Sequence, residues 1–178
     1  MFARLLVLIA VCLSLQAVAC AKVDYSDIQT QAKVDPDADL SRLKSFAWLG
    51  GMSVLEDPQG YWVESGLDLN EEVQGFIKNE LRKKGFTETL NSPDAFVSFL
   101  IVNEVHELLE LQRSRGSQMP TLVGIGQGAL LIELVDAKSG RTLWIGAAVA
   151  DTQSNRSESA VRARIEHAVK SIFEEMPR

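Results

Sequence analysis

The spacing of apolar residues changes period along this chain, and each period marks a different element. Leu69, Val73, Phe76, Ile77 and Leu81 recur at intervals of three and four, which places them on one face of a helix. Asp68 stands where an N-cap is needed and Glu71 completes a capping box. Arg82, Lys83 and Lys84 suit the negative end of the helix dipole, and Gly85 supplies a left-handed stop. A second stripe runs through Val161, Ile165, Ala168, Val169, Ile172 and Met176, with Asn155 and Glu158 offering an N-terminal cap and Pro177 ending it.

Between these helices the period is two. Ala95, Val97, Phe99 and Ile101 alternate with Phe96, Ser98, Leu100, Val102 and Glu104, which predicts a strand over 95–105. Leu130–Val135 and Leu143–Ala150 predict two more, joined through Asp136–Arg141, where Gly140 can take positive φ. Two weaker strands precede the first helix, at 28–34 and 45–49, with Pro36-Asp37-Ala38-Asp39 as turn chemistry between them. The stretch 50–66 has no period and is punctuated by Gly50, Gly51, Pro58, Gly60 and Gly66, so it reads as a long loop. Strands joined by hairpins, together with two one-sided helices, predict an α+β fold. The expected form is an antiparallel sheet with both amphipathic helices packed on one face, a two-layer sandwich.

The N-terminus follows neither period. Residues 1–4 are short and basic, Leu5–Leu15 is an apolar run interrupted only by Ser14, and small residues follow through Ala21. This is the layout of an export signal, and the run is shorter than the roughly 20 residues that a spanning helix needs. Ala17-Val18-Ala19-Cys20 resembles a bacterial lipobox, in which the cysteine is acylated and becomes the mature N-terminus. Ala17-x-Ala19 and Ala19-x-Ala21 also suit ordinary cleavage, which would release a soluble periplasmic protein. Cysteine usage favours the lipid. Of the two cysteines, Cys12 lies inside the signal, so mature Cys20 has no partner in the chain, and an unpaired thiol is a liability in an oxidising compartment. Expected boundaries are a signal peptide over 1–19, a lipidated N-terminus and tether over 20–27, and one domain over 28–178. The lipobox resemblance further implies sorting to the outer membrane, since Ala21 is not the aspartate that often retains such proteins at the inner one.

Composition narrows the function classes. Hydrophobic residues make up 46% of the 178 positions, enough for a real core. The net charge of −6 disfavours nucleic acid as a partner, and it disfavours docking on anionic lipid by charge alone. Loss of 1–19 removes Arg4 and no acidic residue, so the mature chain is one unit more acidic.

Candidate chemistry is sparse. His106-Glu107-Leu108-Leu109-Glu110 resembles the zinc-protease pattern H-E-x-x-H, but Glu110 occupies the second imidazole's place, and His167 is the only other histidine. Gly124-Ile125-Gly126-Gln127-Gly128 lacks the following helix that a phosphate loop requires. His167 lies off the apolar stripe and reads as a solvated helix residue. Glu71-Glu72 and Glu174-Glu175 read as exposed charges at helix ends. No catalytic residue, metal site or cofactor is therefore expected. The loop residues Met52, Leu55, Tyr61 and Trp62 concentrate apolar and aromatic groups in an irregular segment, which is the composition of an interaction surface.

Four ordered stretches, VDPDADLSRLKSFAWL (34–49), LNEEVQGFIKNELRKKGF (69–86), PDAFVSF (93–99) and LLIELVDAKSGRTLWIGAA (130–148), resemble a bacterial envelope family called domain of unknown function 4136. The resemblance implies a signal-bearing, often lipid-anchored envelope protein with an α+β domain and no assigned chemistry. The expectation is a non-enzymatic protein held on the membrane through Cys20, whose domain binds an envelope partner. The alternatives are a periplasmic carrier of an apolar ligand and, behind it, a hydrolase with a site near Glu104 and His106.

Overall fold

The computed structural model describes residues 22–49, 69–102, 127–151 and 156–177. The elements are β1 (Gln29–Val34), a 3-10 turn (Leu40–Arg42), β2 (Ser45–Trp48), α1 (Leu69–Lys83), β3 (Thr87–Glu88), β4 (Ala95–Val102), β5 (Gln127–Asp136), β6 (Thr142–Asp151) and α2 (Glu158–Glu174). The fold is α+β, and the six strands form one sheet in the order β1-β6-β5-β4-β2-β3.

The sheet is mixed, which corrects the expectation of an antiparallel one. β1–β6, β6–β5 and β5–β4 are antiparallel, but β2 runs parallel to both β3 and β4. The cause is α1. A hairpin reverses the chain, whereas a helix between two strands returns it to the end from which it started, and parallel neighbours need such a crossover. Asp94 fixes the parallel seam. One carboxylate oxygen accepts the backbone N–H groups of Lys44 and Ser45, both at 2.9 Å, and the Ser45 hydroxyl at 2.8 Å. The Lys44 N–H first and the Ser45 hydroxyl next hold this carboxyl below its ordinary range.

Helix α1 ends as its sequence requires. Gly85 takes φ +91°, the Phe86 N–H reaches the Leu81 carbonyl at 2.9 Å and the Gly85 N–H that of Arg82 at 3.0 Å. These are the two bonds of a Schellman motif, closed by burial of Leu81 and Phe86 in one cluster. Helix α2 is capped by Ser157, whose Oγ accepts the Ala160 N–H at 3.3 Å. That replaces the expected Asn155, which lies outside the described residues. The β5–β6 connection turns on Asp136, which accepts the N–H groups of Lys138 and Ser139, and Gly140 has φ +70°.

The main core joins Val73, Ile77 and Leu81 of α1 and Val169, Ile172 and Phe173 of α2 to alternate sheet positions, among them Val97, Phe99, Ile132, Leu134 and Trp144. The opposite parity, Val102, Ala129, Leu131, Ile145, Ala147 and Val149, forms a second buried cluster. The β4–β6 segment is thus apolar on both faces, as its continuous hydrophobic run demands.

Gly146 lets α2 approach β6. A Cβ there would lie 2.7 Å from the Trp144 ring and nearer still to Ile172 Cγ2. Trp144 in turn meets Phe173 at a ring separation of 5.4 Å. The Gly146→Ala substitution is therefore expected to cost about 2 kcal/mol through overpacking. It would be read as a lower urea midpoint at unchanged slope, and an unchanged midpoint would refute the close-packing account.

Candidate functional site

The first half of α2 carries an arginine on its apolar stripe. Arg164 stands one helical turn from Val161 and from Ala168, a position that points inward. Its side chain is only 6% exposed. A guanidinium in such a place must be met by acceptors, because an unpaired buried charge costs several kcal/mol. The acceptors come from the residues leading into β1. Arg164 makes a bidentate pair with Asp27, Nη1 to Oδ1 at 2.8 Å and Nη2 to Oδ2 at 2.6 Å, and Nη1 also donates to the Asp24 carbonyl. Beside this pair the Tyr25 ring stacks on His167, with centroids 4.3 Å apart and planes 16° from parallel. His167 is thus a half-buried partner of the N-terminal segment instead of the solvated residue its sequence position suggested.

Asp27 also closes the sheet's edge. Its Oδ2 accepts the Asp151 N–H at 3.0 Å, which ties the start of β1 to the end of β6. The Arg164 hydrogen bonds, the Asp151 N–H and the Arg164 charge hold the Asp27 carboxyl below its ordinary range, against the opposing effect of burial. Arg156 approaches the same carboxylate at 3.9 Å. Burial first, and the Arg164 charge next, lower the Arg156 pKa from its ordinary value.

Next to this cluster lies a cavity of about 120 Å³, open on one side. It is formed where the start of α2 meets the start of α1, the ends of β4 and β6 and the start of β5. Small residues create the space: Gly128, Ala129, Ala148 and Ala150 from the sheet, and Ala168 from α2. Ile28, Val161 and Ile165 add larger apolar walls, while Asp151, Arg156 and Arg164 supply the polar part of the lining. The wall is mostly apolar, and the charges next to it are already engaged with one another. Such a site can take an apolar group.

Cys20, the loop residues Met52, Leu55, Tyr61 and Trp62, and His106 with Glu104 all lie outside the described residues. Of the glycine-rich stretch, Gln127 and Gly128 open β5. Among the described residues no group of three His, Cys, Asp or Glu side chains could hold a metal ion, and no helix is long and apolar enough to cross a membrane. The clamp and the cavity were missed in the sequence. The one signal was Arg164, a charged residue on an apolar stripe.

The family described as Domain of unknown function (DUF4136) matches residues 30–178, most of the chain. The chain belongs to the DUF4136 family. No curated protein matches it. Among solved structures, this DUF4136 chain is similar to a point-variant PelC dodecamer from Paraburkholderia phytofirmans, with 14% identity and a TM-score of 0.51 over 83% of this chain and 96% of that one. It also matches a PDZ domain protein from Parabacteroides distasonis at 18% identity and a TM-score of 0.49, over 85% of this chain and 37% of that one. A DUF330 protein from Xanthomonas campestris matches at 10% identity and 0.42, over 83% and 89%. At 14% identity the likeness to PelC extends to the fold alone.

The Arg164–Asp27 clamp has a definite pH signature. Because the folded Asp27 pKa is depressed, its contribution is fully present above the ordinary carboxylate pKa and is lost as pH falls through the folded value. Asp27→Asn is expected to cost about 3 kcal/mol at neutral pH, from leaving a buried guanidinium without its counter-charge. The gap between wild type and variant should then narrow steadily below about pH 5. Urea titrations across pH would measure it, and a gap independent of pH would show that the charge contributes nothing.

Proposed function

We propose that this DUF4136 protein is a non-enzymatic protein held at the periplasmic face of the outer membrane by lipid on Cys20. Its domain is a binding module for an envelope component. The observation that carries this reading is the grip on residues 24–27. Arg164 and His167 bind the segment that follows Cys20, so that only three residues separate the acylated position from the first one held. Four extended residue steps span at most about 14 Å. A lipid on Cys20 therefore keeps the clamped end of the domain close to the membrane surface. A linker built for long reach would be longer and left ungripped.

In the same reading both helices cover one face of the sheet as a two-layer sandwich, which is supported by the single cluster shared by α1, α2 and alternate strand positions. Met52, Leu55, Tyr61 and Trp62 then offer a surface for an envelope protein partner, on the strength of their composition. The cavity favours a second reading, a soluble periplasmic carrier of an apolar ligand, since its lining is mostly apolar.

Radiolabelled palmitate with membrane fractionation separates the two. Wild type is expected to take label and sediment with outer membrane, and Cys20→Ala to do neither. Unlabelled, soluble wild type would remove the anchor and bring the carrier reading forward.

A further inference from the structure

The geometry points to the cavity beside the Arg164–Asp27 clamp as a binding site for the end of a lipid acyl chain. Three observations converge on that chemistry. The cavity holds about 120 Å³, close to the roughly 150 Å³ at which an apolar protein cavity stays dry and accepts a benzene-sized guest. It is open on one side, so a guest longer than the cavity can enter end-on and leave its remainder outside. Its walls expose backbone-near methyls of Ala148, Ala150 and Ala168, a surface that fits a flexible chain of methylenes without hydrogen bonds to offer.

The surrounding charges argue about the head group. Asp27 and Asp151 balance Arg156 and Arg164, and both arginines already face Asp27. This rim does not select an anionic head, so recognition rests on the chain, and a zwitterionic lipid is the suitable guest. The location supplies a further argument, and it alone rests on the proposed anchor. Ile28 lines the cavity, and Asp27 beside it is clamped a few residues after Cys20. A lipid at Cys20 would put the opening within reach of acyl chains, either those of the membrane or the protein's own.

The test uses the full mature chain carrying Cys20→Ala, which bears no lipid and is independent of the anchor. The probe is a lysophosphatidylcholine with a diazirine at the end of its acyl chain, kept below its micellar concentration. Photolabelling is expected to map to peptides containing Val161, Ile165 or Ala168 and to be displaced by unlabelled lysophosphatidylcholine. Val161→Trp and Ala150→Leu narrow the cavity from opposite walls at half-buried positions. Each should lower labelling at least tenfold with thermal unfolding unchanged. Label scattered over the surface, or undiminished in both folded variants, would overturn the assignment. Lipidated wild type then distinguishes the source. Labelling far below that of Cys20→Ala means that its own chain fills the cavity, and equal labelling means that the site takes lipid from outside.

Discussion

A guanidinium almost sealed from water sets the terms for one end of this molecule. Arg164 sits on the face of α2 that packs inward, where hydration is lost and only protein acceptors can compensate. The acceptors do not come from the neighbouring strands, where Gly128, Ala129, Ala148 and Ala150 offer none and the Asp151 carboxylate accepts from Gln127. They come from the segment before β1, and this requirement fixes where that segment runs. Once Asp27 faces Arg164, its second oxygen meets the Asp151 N–H, and β1 enters alongside β6 with Gln29 opposite Val149. Thus the charge on one helix determines how an edge strand with a polar sequence, Gln-Thr-Gln-Ala-Lys-Val, finds its place. A weak strand needs such guidance, since its own alternation specifies register poorly.

At the other end the constraint is the route of the chain. α1 separates β2 from β3 and β4, so these strands run the same way, and the sheet combines a parallel edge with an antiparallel body. The parallel pairing is short. Phe46 compensates by being fully buried, in edge contact with Trp48 at 5.7 Å, and Trp48 meets Phe99 on β4 at 6.3 Å. Asp94 adds its three hydrogen bonds at the point where β2 begins. Aromatic packing and one well-placed carboxylate thus do for the parallel edge what length does for β5 and β6.

These two constraints also explain what the sequence could and could not reveal. Local signals were legible because local physics causes them: the stripe and Gly85 stop of α1, the alternation of 95–102, and the turn at Gly140. Strand direction was not, because a period of two is the same in either sense and the deciding fact is the helix between the strands. β3 has two exposed residues, Thr87 and Glu88, and no alternation to detect. Phe173 lies four residues from Val169 and shares its buried face, a core position that the stripe through Ile172 and Met176 does not include. The cavity was invisible for a different reason. Five elements contribute one or a few residues each, and small side chains signal space only when the fold sets them opposite one another.

Arg164 is the exception, because its place on the stripe is legible in the sequence. A charge on an apolar stripe is either an error of phase or a demand for a partner, and the composition of α2 decides between these. Val161, Ile165 and Ala168 keep the stripe in phase on both sides of Arg164, so the phase holds and a partner is required. Asp24 and Asp27 supply it, from the segment between the lipobox-like stretch and the first strand. A helix that demands a counter-charge and a tether that carries one are the same observation made from two ends of the sequence. Their meeting makes residues 24–27 part of the domain, and it sets the small-residue cavity beside the segment that leads into β1.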